Sequence, residues 1–249
     1  MNPSIKVIEL SDLLIIAIPV MIVIAITWAW RLDYKRPIVG MGRMLLQLLL
    51  IGYVLVYIFA AEAPWIVMLV LGVMLVAASW ISLGSLGDGV LGADNKSSRK
   101  GLLLSAFGAI CLGGVSVLAL VTQGVLKLDP WYQPQYMIPL AGMIFSYGMN
   151  AISLAAERLG AELDRAVEYE QARNIAFGAS MIPITNSLFA VGLVSLPGMM
   201  TGQILAGVSP FVAARYQILV MCMLFGATGI ASAAFLWLSK KQFIASNSN

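Results

Sequence analysis

The sequence predicts an all-α membrane protein, a polytopic bundle of about seven transmembrane helices with its N-terminus outside and its C-terminus in the cytoplasm. Three observations carry that expectation. The chain is 60% hydrophobic and 11% charged, with a mean hydropathy of +0.91, whereas soluble domains are about 45–50% apolar and about 25% charged. Aliphatic windows of ~20 residues, long enough to cross ~30 Å of hydrocarbon, recur along the whole length. No soluble domain of useful size remains between them, so residues 1–249 read as one membrane domain. In lipid every backbone polar group must be satisfied internally, and runs this long do so as helices.

The spans fall at about 12–30, 41–60, 65–82, 101–124, 136–156, 181–207 and 214–238. The first begins near Leu13 and closes with Trp28, Trp30 and Arg31. A cleavable signal would place its basic residues before the apolar run, so this segment reads as a retained helix. Between the second and third spans, Ala61-Glu62-Ala63-Pro64 reads as a tight turn; between the third and fourth, Gly87–Gly101 reads as a flexible polar loop. Lys127–Tyr136 is a proline-containing connection into the fifth span, and the terminal Ser-Asn-Ser-Asn reads as frayed. Trp28, Trp30, Trp65, Trp131, Tyr132 and Trp237 sit near span ends, where an interfacial aromatic belt belongs.

Basic residues set the orientation. The segments after spans one, three and five, together with the C-terminus, hold twelve: Arg31, Lys35, Arg36, Arg43, Lys96, Arg99, Lys100, Arg158, Arg165, Arg173, Lys240 and Lys241. The opposite side holds three, Lys6, Lys127 and Arg215. Cys111 and Cys222 lie in apolar runs and read as buried small hydrophobes, and the absence of histidine removes the commonest metal ligand and proton switch. Methionines crowd the last three spans; thioethers bind soft metals, but more often they pack.

Polar groups inside the spans are the candidates for function. Arg43 and Gln47 are four apart and share a face of span two, with Arg43 near enough to the edge to snorkel. Asn150, Asn186, Ser187, Thr201 and Gln203 lie in spans five and six. Pro197 and Gly198 interrupt span six. Proline has no N–H and clashes with the carbonyl four residues back, so the helix must kink or stop there. Gly198 and Gly202 form a GxxxG pair suited to close helix contact. A broken helix at membrane depth has to be covered by protein or line a cavity, so Val191–Gly207 is expected to pack on other helices and either frame a substrate path or serve as a structural kink.

Ala156–Asn174 is different in kind: five acids alternate with three arginines among good helix formers. It reads either as a solvated continuation of span five or as a helix that docks on a cytoplasmic partner.

Val191–Met221, Gly42–Phe59, Ile138–Ile144 and Asn150–Leu159 resemble, in order and over roughly three-quarters of the chain, the FetB-type ABC transporter permeases, a bacterial iron-export family that extends to plant aluminium-tolerance transporters. The resemblance implies an inner-membrane permease subunit that works with a separate cytoplasmic ABC ATPase, two permeases with two ATPases, in membrane lipid and without nucleic acid. No GxxxxGK[ST] loop occurs in the chain, so ATP would be used by the partner subunit and no cofactor is expected in this one. The bacterial members imply metal export, iron above all; the plant members imply UDP-sugar or another small solute. An uncoupled secondary transporter or channel is the rival outside the family. The translocation path expected on this basis comprises Arg43, Gln47, Asn150, Asn186, Pro197, Gly198, Met199, Met200, Thr201 and Gln203. The ATPase-coupling segment, about 156–180, comprises Glu157, Arg158, Glu162, Asp164, Arg165, Glu168, Arg173 and Gly178. The family carries a longer cytoplasmic region here, shortened in this chain by roughly a helix. Its turn falls either at Leu159-Gly160-Ala161 or at Phe177-Gly178-Ala179-Ser180. Asn186 and Phe189 stand where relatives show an acid and a lysine.

Overall fold

The computed structural model of the protein describes residues 12–59, 63–84 and 96–247. Among them the regular structure is helical, with no strand beyond one isolated bridge between Val191 and Ser195. The backbone divides into two units, Met1–Glu62 and Ala63–Asn249.

The first unit holds α1 (Leu13–Ala29) and α2 (Lys35–Phe59). They are joined by a short turn in which Arg31 adopts a left-handed φ of 58°. Asp33 then accepts hydrogen bonds from the amides of Lys35 and Arg36, the orphan donors of the first turn of α2. Helix α2 starts six residues before the apolar window, so Arg43 lies two turns inside the helix.

The second unit holds α3 (Pro64–Ser82), α4 (Lys96–Ile110), α5 (Ser116–Ala119), α6 (Pro134–Leu163), α7 (Tyr169–Ala190), α8 (Gly198–Leu205), α9 (Pro210–Leu238) and α10 (Lys240–Asn247). Two π-helical turns, Cys111–Val115 and Leu120–Val125, flank α5, so Arg99–Val125 runs as one continuous apolar rod. Prolines open α3, α6 and α9, where a missing N–H costs nothing. Helix α6 packs against α3, α7 and α9, and α4 packs against α9 and α3. The core between them includes Ile110, Ile144, Ile152, Leu159, Ile184 and Phe235.

A glycine pair makes the tightest join. A Cβ at Gly113 would stand 2.7 Å from the Ala231 nitrogen and 2.8 Å from the Ala227 oxygen, and one at Gly114 would stand 2.9 Å from the Phe145 ring. The first π turn therefore lets α9 backbone and an α6 aromatic ring close onto it.

Five helices among the described residues are long and apolar enough to cross a membrane: α2, α3, Arg99–Val125, α6 and α9. Helix α1 is apolar but only 17 residues long, and the sixth apolar segment is broken in two. The all-helical, multi-span class is thus observed.

Several local expectations are corrected. The polar loop ends earlier, because Lys96–Gly101 is already the first turn and a half of α4. Ser246 and Asn247 are helical. The connection after Lys127 ends at Gln133, because Pro134 starts α6. Cys222 is exposed on α9 instead of buried, while Cys111 is partly covered, and both are free thiols. The expected turn at residues 61–62, the loop over 87–95 and the last two residues lie outside the described residues.

Candidate functional site

The sixth apolar segment builds the candidate site. Helix α7 ends at Ala190, seven residues before Pro197, and Pro197 stands at the N-cap of α8 with φ −61° and ψ 146°. Proline therefore opens the second helix and does not break the first, which corrects the expected position of the kink. The departure from α7 is made by Gly192, whose φ of +84° is strained for any L side chain. The break also closes its own donors. The amides of Leu193, Val194 and Ser195 all donate to the Ala190 oxygen at 2.8–3.2 Å, that of Gly192 donates to Ser195 and that of Val191 to Ser187.

The expected cover by other helices is not found among the described residues. Leu193 is 90% exposed and Val194 85%. Gly198 and Gly202 have no neighbouring heavy atom within 4 Å of a Cβ position, so the expected GxxxG contact is not made among the described residues. Pro197 to Gln203 lie together on α8; Asn150 and Asn186 occupy exposed positions on α6 and α7. Arg43 and Gln47 are exposed positions on α2 in the first unit.

Helix α8 packs along α9, and these two helices hold buried oxygen atoms that lack a hydrogen-bond partner among the described residues: Gln203 Oε1 on α8, and Gln217 Oε1 and Thr228 Oγ1 on α9. An unpaired buried acceptor costs about 1–3 kcal/mol, so such groups ask for a water, an ion or a solute. Gln217 and Thr228 were not singled out from the sequence; the only available signal was two polar residues eleven apart, three helical turns, in an apolar run. Several other buried hydroxyls are paired. Ser180 of α7 donates to the Phe177 oxygen, leaving Ser232 of α9 as the donor in the 2.6 Å bond between the two hydroxyls. Ser153 of α6 donates to the Ser82 oxygen of α3 at 2.7 Å. Met137, Met221 and Met223 are core residues and Met181 packs over Gly229, which is the packing role of methionine.

The charged segment does not form one helix. Ala156–Leu163 completes α6, residues 164–168 turn, and α7 begins at Tyr169. Ala166 takes a φ of 58° at the turn. Both expected turn positions are therefore wrong: Leu159-Gly160-Ala161 is held helical by its packing, and Phe177–Ser180 lies within α7. Glu162 is buried and pairs with Arg158 at 2.7 Å and Arg165 at 3.5 Å. Glu157, Asp164, Glu168 and Gly178 are exposed. Tyr169 is buried, donates its hydroxyl to the Leu236 carbonyl and lies under Lys240 Nζ, 5.2 Å from the ring centre. Burial pushes its phenol up to about 12, against the opposing pull of Arg173.

A cavity of about 280 Å³ between α3, the π-turned rod and α6 is lined by Met68, Leu71, Leu118, Thr122, Trp131 and Phe145 among others. Its walls are almost wholly apolar, unsuited to a charged solute. Among the described residues no three His, Cys, Asp or Glu side chains gather as a metal site.

These features define an all-helical, multi-pass membrane protein with one broken helix and a charged turn at one end. The chain belongs to UPF0014, an uncharacterised protein family whose model matches residues 10–169 and 159–244. The match divides at the α6–α7 turn, where the sequence reading places the shortening. The chain is 39% identical to a UPF0014 membrane protein of Synechocystis over 74% of this chain and 73% of the relative. It is 30% identical to the "Probable iron export permease protein FetB" of Escherichia coli over 90% and 88%, and 26% identical to the protein ALUMINUM SENSITIVE 3 of Arabidopsis thaliana over 90% and 83%. No solved structure matches it.

Proposed function

We propose that this chain is the inner-membrane permease of an ABC-type transporter that exports metal ions, iron first among them, with ATP hydrolysed by a separate subunit. The observation that carries the reading is the likeness to the E. coli protein, which runs through 90% of this chain. The geometry supports it in two places. The broken α7–α8 segment gives the second unit a joint at which two arrangements can alternate. The neutral oxygens of Gln203, Gln217 and Thr228 offer a desolvated cation weak, replaceable ligands, as a conduit requires and a storage site does not. The α6–α7 turn, with Arg158 and Arg165 closed on Glu162, is the surface the ATPase would engage. Two permeases and two ATPases would make the assembly.

The test is to tag the chain, solubilise it gently and identify any ATP-hydrolysing subunit that follows. The purified assembly, reconstituted in vesicles, is then assayed for ATP-dependent movement of Fe²⁺ and, separately, of UDP-glucose. Iron movement that requires ATP is expected. Absence of an ATPase subunit, or transport that proceeds without ATP, would sink the proposal; movement of UDP-glucose alone would overturn the choice of cargo.

A further inference from the structure

A groove of about 300 Å³ opens between the first turns of α7 and the last turns of α9, lined by Arg173, Asn174, Phe177, Ala233, Leu236 and Trp237. We propose that this groove binds the headgroup of an anionic phospholipid. Arg173 faces the phosphate, while Phe177 and Trp237 lie along the glycerol and the upper acyl chains.

Depth is the first argument. Helix α9 has 29 residues, and at ~1.5 Å per residue it spans ~43 Å against a hydrocarbon core of ~30 Å. A centred α9 therefore carries its last four or five residues into the headgroup layer, and Trp237 is among them. Trp237 is 75% exposed, an apolar ring at the level where tryptophan anchors a bilayer interface.

Charge is the second. Among the described residues the guanidinium of Arg173 forms no ion pair with a carboxylate; its Nε and Nη2 donate to the neutral Asn174 Oδ1 at 3.3 and 3.1 Å. Glu162, the buried acid of this end, is engaged by Arg158 and Arg165. Glu170 lies one turn before Arg173 but is exposed and does not line the groove. Nearby, outside the groove lining, Lys240 stands over the ring of Tyr169, whose neutral phenol supplies no countercharge. Arg173 is thus the cation that lines the groove, beside the buried Leu236. A basic pocket between helix ends, at the interface and beside exposed aromatic rings, fits a lipid phosphate with its chains attached.

A docking peptide from a partner protein would leave Trp237 no reason to face the bilayer, so the lipid is the occupant argued here. The proposal rests on the chain crossing a membrane and is independent of cargo or driving subunit.

The test uses the full-length chain in detergent, with phosphatidylglycerol or phosphatidylcholine added and bound lipid counted by native mass spectrometry. Wild type should retain phosphatidylglycerol in preference and melt at a higher temperature with it than with phosphatidylcholine. Losing one basic residue near a bilayer surface weakens anionic-lipid binding about fivefold, so Arg173→Gln should lose that much of the preference with phosphatidylcholine binding unchanged. Arg173→Lys should keep most of it. Equal retention of both lipids by wild type, or an unaltered preference in Arg173→Gln, overturns the proposal. So does soluble glycerol phosphate binding as well as the lipid, or loss of a co-purifying subunit in Arg173→Gln while lipid binding persists.

Discussion

Gly113 and Gly198 are both glycines in apolar helices, and only their neighbours separate them. At Gly113 a methyl group would meet the backbone of α9 at 2.7 and 2.8 Å, atoms that cannot swing aside. Overpacking of this kind costs about 1–3 kcal/mol, so Gly113→Ala should lower the melting temperature of the detergent-solubilised protein. Gly198→Ala, with open space around it, should leave that temperature unchanged or raise it slightly through better helix propensity. Equal effects of the two substitutions would contradict the packing described. The sequence pointed to the wrong pair, because Gly198 and Gly202 carry the small-xxx-small spacing and Gly113-Gly114 does not. Spacing along one helix says which face is smooth, but not which face has a neighbour. The same limit hid Gln217 and Thr228, whose burial is a property of how α9 packs on its neighbours.

At the scale of the element, the α6–α7 turn shows how packing moves a boundary. Composition marked residues 156–174 as charged and solvated, and the turn does lie there. Its exact place did not follow, because Gly160 reads as a stop until the buried Leu159 and Leu163 on either side of it are seen to hold it in α6. Glu162 reads as one more surface acid until its burial and its two arginines are known. Tyr169 pins the start of α7 to the end of α9, and its phenol titrates near 12 instead of the ordinary 10 because the neutral form is buried. An acid whose folded value is raised holds its proton while the unfolded chain releases one. The stability it lends is complete below about 10 and drains away as pH climbs from there toward 12, to a total on the order of 2 kcal/mol. Thermal melts from pH 9 to 11.5 should therefore fall more steeply for wild type than for Tyr169→Phe, which has no proton to lose. Parallel curves would show that the phenol is not held as described.

Over the whole molecule, the apolar windows fall on α2, α3, the Arg99–Val125 rod, α6 and α9, because length and hydropathy decide what can cross a bilayer before any contact is formed. What they could not show was that the sixth window holds the end of the 22-residue α7 and the whole of the 8-residue α8, each packed on the 29-residue α9. Two residues hold that joint open. Gly192 supplies a left-handed φ of +84°, and Pro197 sits extended at the head of α8 and withholds an N–H. An L side chain in the left-handed region costs about 1–2 kcal/mol, so Gly192→Ala should bias the joint away from the broken form by roughly 5- to 30-fold. Pro197→Leu restores a backbone donor and frees φ, so it too relaxes the break, at a half-buried position outside the core. Both variants should insert and accumulate in the membrane as wild type does, since the apolar length of every span is kept. If the joint is what alternates, each should lose most ATP-dependent efflux from reconstituted vesicles, and Gly192→Ala should lose at least as much as Pro197→Leu. Full transport by a properly inserted Pro197→Leu protein would show that the break is only a way of fitting two helices beside one, and that access alternates somewhere else.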